Sequence, residues 1–208
     1  MLASLLRKYA GHPEVVVLAL PRGGVPVGAE VARHLAAPLD VMVVRKLGVP
    51  GHRELAMGAL ASGGVRVLNE DLLMELGIPE WVIEEAVARE APELERRERA
   101  YRGGRPPLEV EGRTVILVDD GVATGASMRA AVAALRQRGP KRLVVAVPVA
   151  AEAIREGLAR EVDEMVCVRT PEPFLAVGLW YEDFSETTDE EVRAALEEAA
   201  QPAMEGAR

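Results

Sequence analysis

Two adjacent carboxylates followed by a run of small residues, Asp119-Asp120-Gly121-Val122-Ala123-Thr124-Gly125-Ala126-Ser127, form the stretch of this chain best suited to chemistry. The apolar run Val115-Ile116-Leu117-Val118 precedes it and reads as a buried strand. The acids therefore emerge at a strand's C-terminal end, the edge at which open α/β sheets bind ligands. The turn from Gly121 to Gly125 is slim enough to let a ligand reach the backbone. Its N–H groups and the N-terminus of the following helix can converge on one anion, with the Thr124 and Ser127 hydroxyls as further donors. An anion cradle beside two carboxylates suits a ligand with phosphate at one end and vicinal hydroxyls at the other. Carboxylates accept hydrogen bonds and would repel a second phosphate placed upon them. A ribose 5-phosphate has that shape, whereas a simple capped turn needs only one such residue and leaves the acidic pair unexplained.

Three further stretches carry candidate groups. Pro21-Arg22-Gly23-Gly24 follows the apolar run Val15 to Leu20 and offers exposed backbone donors beside a cation, although an Arg-Gly-Gly turn is often structural. Lys46 stands out because the chain has only three lysines, Lys8, Lys46 and Lys141, among 25 basic residues. The turn Pro50-Gly51-His52-Arg53 beyond it reads either as a mobile loop or as an exposed hairpin, with His52 a surface histidine or a transition-state contact. Near the C-terminus, Trp180, Tyr181 and Phe184 cluster in a chain that is 3% aromatic, either as packing residues or as a face on which a planar ligand stacks.

The thirteen residues Val115 to Ser127 resemble the phosphoribosyl-pyrophosphate signature of the type I phosphoribosyltransferases: four apolar residues, two acids, then a small-residue loop ending Thr-Gly-x-Ser. Gly121 departs from the apolar residue commonest there, which is expected to alter the loop's flexibility more than its ligand chemistry. The resemblance implies that Asp119 and Asp120 hold the ribose hydroxyls and that Ala123, Thr124, Gly125, Ala126 and Ser127 wrap the 5-phosphate. It implies likewise that Arg22, Gly23 and Gly24 form a pyrophosphate loop, that Lys46 reaches the pyrophosphate, and that the loop bearing His52 closes over the donor. Ala176-Val177-Gly178-Leu179-Trp180-Tyr181 loosely resembles the segment with which purine-type members hold the acceptor base, making Trp180 and Tyr181 candidate acceptor contacts. Mg2+ held mainly by substrate, phosphoribosyl pyrophosphate with an unidentified base, and a homodimer follow from the same resemblance. An alternative within it is a regulator that keeps the fold to sense nucleotides without turnover.

The elements that must position these groups alternate: strand-like runs at 15–20, 41–44, 115–118 and 143–147, helix-like runs at 25–36, 127–137 and 151–158. This is the βαβ pattern of a mostly parallel sheet, and strands apolar at every position imply helices on both faces, hence a doubly wound α/β fold. A charged stretch at about 69–107 reads as a helical insertion, its surface a solvated one laced with i,i+4 pairs. Residues at about 171–188 read as a small hood after an edge strand at Met165 to Val168, and a last helix opens at Ser185 or Thr188.

Bulk composition narrows the partners. With 25 basic against 33 acidic residues and a net charge of -8, no broad positive field is available for nucleic acid. One cysteine, Cys167, in a run read as buried strand, excludes an intrachain disulfide and a cysteine metal site. No apolar run approaches the roughly 18 residues of a membrane span, and the expectation is a cytoplasmic protein of one phosphoribosyltransferase-like domain. Neither a Gly-x-x-x-x-Gly-Lys-Ser/Thr loop nor a Gly-x-Gly-x-x-Gly fingerprint occurs, which disfavours other nucleotide-binding α/β enzymes.

Overall fold

Runs of β-branched residues pair side by side to make the core. The computed structural model describes residues 1–200, apart from the side chains of Arg53 and Glu54. In chain order the elements are α1 (Leu2–Leu5), β1 (Val15–Ala19), α2 (Gly24–Leu35), β2 (Leu39–Val41), β3 (Val44–Val49), β4 (His52–Ala61), β5 (Val65–Leu68), α3 (Glu70–Leu76), α4 (Glu80–Arg102), β6 (Thr114–Val118), α5 (Ala126–Gln137), β7 (Arg142–Val149), α6 (Glu152–Ala159), β8 (Glu164–Arg169) and α7 (Asp189–Ala200). Strands in the order β2-β1-β6-β7-β8 form one sheet, and every pairing in it is parallel.

Every residue of β1 and β6 is buried. The pleat divides them between two cores: Val15, Val17, Ala19, Ile116 and Val118 meet α2, α4 and α7 on one face, while Val16, Leu18, Val115 and Leu117 meet α5 and Leu158 of α6 on the other. Helices thus cover both faces, and the fold is α/β and doubly wound. The edge strand β8 is only half-buried, so Cys167, expected to be buried, is half-exposed.

The chain departs from a plain alternation after β2. The run 41–44, expected as one strand, is divided between β2 and β3 at Met42-Val43. Val43 leaves the main sheet by exchanging backbone and side-chain hydrogen bonds with Ser62 at 2.9 Å each. Strands β3, β4 and β5 then make a separate antiparallel sheet. Of the two readings of the Pro50-Gly51-His52-Arg53 turn, the hairpin is the one observed. Val49 pairs with His52, and Gly51 at φ 77° supplies the left-handed backbone that the turn needs.

The charged stretch holds α3 and α4, but α4 is no simply solvated helix. Its Ile83, Ala86, Val87, Leu94 and Tyr101 are buried. Glu90 accepts from Arg45 of β3 at 2.7 Å. Buried Arg102 donates to Asp40 of β2 at 2.9 Å and to the Val41 carbonyl at 2.9 Å. The i,i+4 pairs Glu93–Arg97 and Glu98–Arg102 are present, yet Arg102 also works inward. A capping box opens α7: Thr188 Oγ1 accepts from the Glu191 N–H at 3.1 Å and the Glu191 carboxylate accepts from the Thr188 N–H at 2.7 Å.

Candidate active site

β1 and β6 lie side by side in register, Val15 opposite Thr114 through Ala19 opposite Val118. Whatever follows each strand must therefore meet at the same sheet edge. The turn after β1 indeed rests on the acids after β6. A Cβ on Gly23 would lie 2.0 Å from Oδ2 of Asp120, and one on Gly24 would lie 2.9 Å from Cα of Asp119 and 3.0 Å from the Val118 carbonyl oxygen. Only residues without a side chain allow this approach. The two loops, about a hundred positions apart in sequence, thus make one wall.

The acidic pair is desolvated there. Burial pushes the Asp119 carboxyl well above its ordinary range, and the neighbouring Asp120 charge adds to the rise against a 2.9 Å hydrogen bond from the Asp120 N–H. Burial raises Asp120 as well, against hydrogen bonds that favour its charge. Beside them the loop presents exposed Ala123, Thr124, Ala126 and Ser127. Among the described residues the N–H groups of Ala123, Thr124 and Gly125 donate to no protein acceptor, and they precede the first turn of α5. Gly125 sits at φ 78°, a conformation that side chains resist.

The hood closes on this wall from the other side. Tyr181 donates its hydroxyl to the Asp120 carbonyl at 2.5 Å, and burial followed by the two acids pushes its phenol pKa up, so the group stays a donor. Its ring stacks obliquely on Phe184 with centroids 5.3 Å apart. Trp180 diverges from it: 42% exposed, it lines a cavity of about 680 Å³ with Pro26, Val27, Pro148 and Val168, and so is not a core residue. Val177 accounts for the departure at Gly121. A Cβ there would meet Val177 Cγ1 at 2.7 Å and Val149 Cγ1 at 2.9 Å, so the missing side chain makes room for the hood.

The two cations lie in different surroundings. Arg22 forms a close ion pair with Glu186 and a second one at 3.5 Å with Asp189. Asp189 also accepts from Tyr101 of α4 at 3.1 Å. Exposed Lys46 instead lines a groove of about 410 Å³ with Ala126, Ser127 and Arg129, at the phosphate-loop end. Alternation along β3 explains this, because Arg45 and Leu47 turn to the α4 side and send Lys46 the other way. His52 stands exposed at the hairpin tip, and the Arg53 side chain lies outside the described residues. Sequence reasoning did not foresee that Glu186 and Asp189 engage Arg22, or that Tyr101 meets Asp189. Only their places, at a helix N-terminus and in a helical charge pattern, were visible.

Comparison with known proteins decides the family. The phosphoribosyl transferase domain model matches residues 1–176. The chain belongs to the phosphoribosyl transferase family. A Mycobacterium tuberculosis protein provisionally named a phosphoribosyl transferase is 46% identical over 198 residues, 95% of this chain and 44% of its own length. The chain therefore spans less than half of the curated relatives that it matches so extensively. The crystal structure of TT1426 from Thermus thermophilus superposes with TM-score 0.86 at 48% identity, over 96% of this chain and 94% of that one. The bifunctional protein PyrR of Haemophilus ducreyi is 31% identical over 108 residues, 47% of this chain and 60% of its own. Among the described residues of this transferase domain no helix is long and apolar enough to cross a membrane.

Proposed function

We propose that this chain binds phosphoribosyl pyrophosphate together with Mg2+ and transfers the 5-phosphoribosyl group to a nitrogenous base, releasing pyrophosphate. The observation that carries the reading is the contact of Gly23-Gly24 with Asp119-Asp120 at the ends of neighbouring parallel strands. It sets an anion-receptive turn, an acidic pair and a phosphate-sized loop around one crevice. The 5-phosphate takes the unpaired N–H groups of Ala123, Thr124 and Gly125 and the N-terminus of α5. Asp119 and Asp120 accept hydrogen bonds from the ribose hydroxyls. The Arg22 guanidinium and the Gly23 and Gly24 backbone receive the pyrophosphate.

Cleavage of the bond from C1 to the pyrophosphate oxygen leaves positive charge on the ribose ring, as in glycoside hydrolysis, while a base nitrogen attacks C1 from the opposite face. Two carboxylates close to the ring favour that charge without attacking it. Mg2+ is held mainly by substrate oxygens in this reading, and Asp119 and Asp120 are the carboxylates nearest to it. A desolvated pair of hard oxygen donors, both with raised affinity for a proton, fits a dication whose remaining ligands are substrate oxygens. When bound, the ion supplies neutralisation of the pyrophosphate's charge. Lys46, which lines a groove with Ala126 and Ser127, is the cation of the β3–β4 hairpin that serves the donor's phosphates in this reading. Trp180 and the cavity that it lines are the acceptor's place in this reading.

Incubation with phosphoribosyl pyrophosphate, Mg2+ and each of a panel of purine and pyrimidine bases, followed by pyrophosphate assay, tests the proposal. Release that depends on one base supports it. A donor left intact with every base contradicts it.

A further inference from the structure

Transfer as proposed above places several negative charges on a leaving group, yet the arginine of its loop, Arg22, is already engaged by Glu186 and Asp189. A second cation is present nearby, on an element that the signature motif does not include. Arg97 of α4 lines a small cleft of about 100 Å³ together with Pro21, Val44, Asp119 and Ser127. The cleft thus gathers the turn after β1, the exit from the main sheet, the acid after β6 and the start of α5.

Its position is fixed on both sides. The middle of α4 is tied to β3 through Glu90 and Arg45 at 2.7 Å, and its C-terminal end to β2 through Arg102 and Asp40 at 2.9 Å. Glu93 accepts from Arg97 Nε at 2.7 Å, and among the described residues the hydrogen bonding of Arg97 is confined to that nitrogen. The terminal nitrogens of a guanidinium are the pair that binds phosphate oxygens in a fork. Arg96 shares Glu93 but differs: its side chain is 57% exposed against 32% for Arg97, and the cleft is not its own.

We propose that Arg97, supplied by the helical insertion, is a substrate-binding residue that contacts the pyrophosphate group from across the crevice, opposite Gly23-Gly24. Pro21, the first residue of the pyrophosphate turn, and Asp119 share its cleft; Ser127 of the 5-phosphate loop borders it too, so the two ligands are titrated separately. The insertion is then part of the active site.

The test is calorimetric titration of wild type, Arg97→Ala, Arg97→Lys and Arg99→Ala with pyrophosphate plus Mg2+ and, separately, with ribose 5-phosphate. Arg99 is exposed on the same helix and controls for the general field. Loss of a charged, forked contact weakens pyrophosphate about 10- to 100-fold in Arg97→Ala, with ribose 5-phosphate within about twofold. Arg97→Lys, which keeps the stem and the charge, recovers part of the loss. Unchanged pyrophosphate affinity in Arg97→Ala, equal losses for both ligands, or the same loss in Arg99→Ala overturns the assignment while leaving the proposed function standing. A wild-type protein that binds neither ligand overturns both.

Discussion

Gly23 and Gly24 are neighbours in sequence and should fail in opposite ways when each is given a methyl group. A Cβ on Gly23 would lie 2.0 Å from Oδ2 of Asp120, deep inside the roughly 3.5 Å separation of non-bonded atoms. The obstacle is the end of a side chain, which can rotate away at a cost of about 0.5–1.5 kcal/mol. Rotation takes the carboxylate from the place where it would accept a ribose hydroxyl, so donor affinity falls by about 1.5–3 kcal/mol, or about 10- to 150-fold. A Cβ on Gly24 instead meets backbone, Asp119 Cα at 2.9 Å and the Val118 carbonyl at 3.0 Å, at the end of a fully buried strand. Little there can step aside, and overpacking of this kind costs about 1–3 kcal/mol. For a chain of this size that lowers Tm by about 2–12 °C. Scanning calorimetry and titration with phosphoribosyl pyrophosphate on Gly23→Ala and Gly24→Ala read both quantities. Wild-type affinity in Gly23→Ala, or an unchanged Tm in Gly24→Ala, refutes the reasoning.

Two further outcomes are expected. The raised pKa values of Asp119 and Asp120 mean that the folded protein holds protons more tightly than the unfolded chain. Their contribution to stability is therefore full below the ordinary carboxylate range and is lost as pH rises through the folded values. Asp119→Asn should raise Tm relative to wild type at pH 8 and lose that advantage in acid; an advantage independent of pH would show that desolvated charge is not its source. Glu186 occupies Arg22 from a side chain that is 78% exposed, so Glu186→Gln should leave Tm nearly unchanged and tighten pyrophosphate binding by at most about fivefold. Weaker binding would mean that Glu186 orients Arg22 rather than competing with pyrophosphate.

How much of this was legible depends on how far apart in sequence the cooperating residues lie. The strand, acids and loop from Val115 to Ser127 are contiguous, and each local step there (apolar run, emerging carboxylates, small turn, helix start) agrees with the next. The parallel sheet followed from strands apolar at every position, as β1 and β6 are. The touching of Gly23 and Asp120 needs the pairing of β1 with β6, which local pattern does not give. Lys46 was visible as a rare lysine, but which face of β3 it would take depends on register against β4, and Arg45 took the α4 side. Arg97 looked like any i,i+4 partner of Glu93, because the same charge spacing serves a solvated helix and one docked over a cleft. The pairing of Glu186 and Asp189 with Arg22 was not legible, since Arg22 comes from the far end of the chain.

The central claim is that one crevice between the turn after β1 and the loop after β6 binds phosphoribosyl pyrophosphate. Calorimetric titration of that donor, in Mg2+, into wild type and into the paired variant Asp119→Asn with Asp120→Asn tests it most directly. Saturable one-site binding in the wild type, with a loss of about 3–6 kcal/mol if two charged contacts of about 1.5–3 each are removed, is the predicted result. Absence of binding in the wild type, or equal affinity in the folded variant, would contradict it.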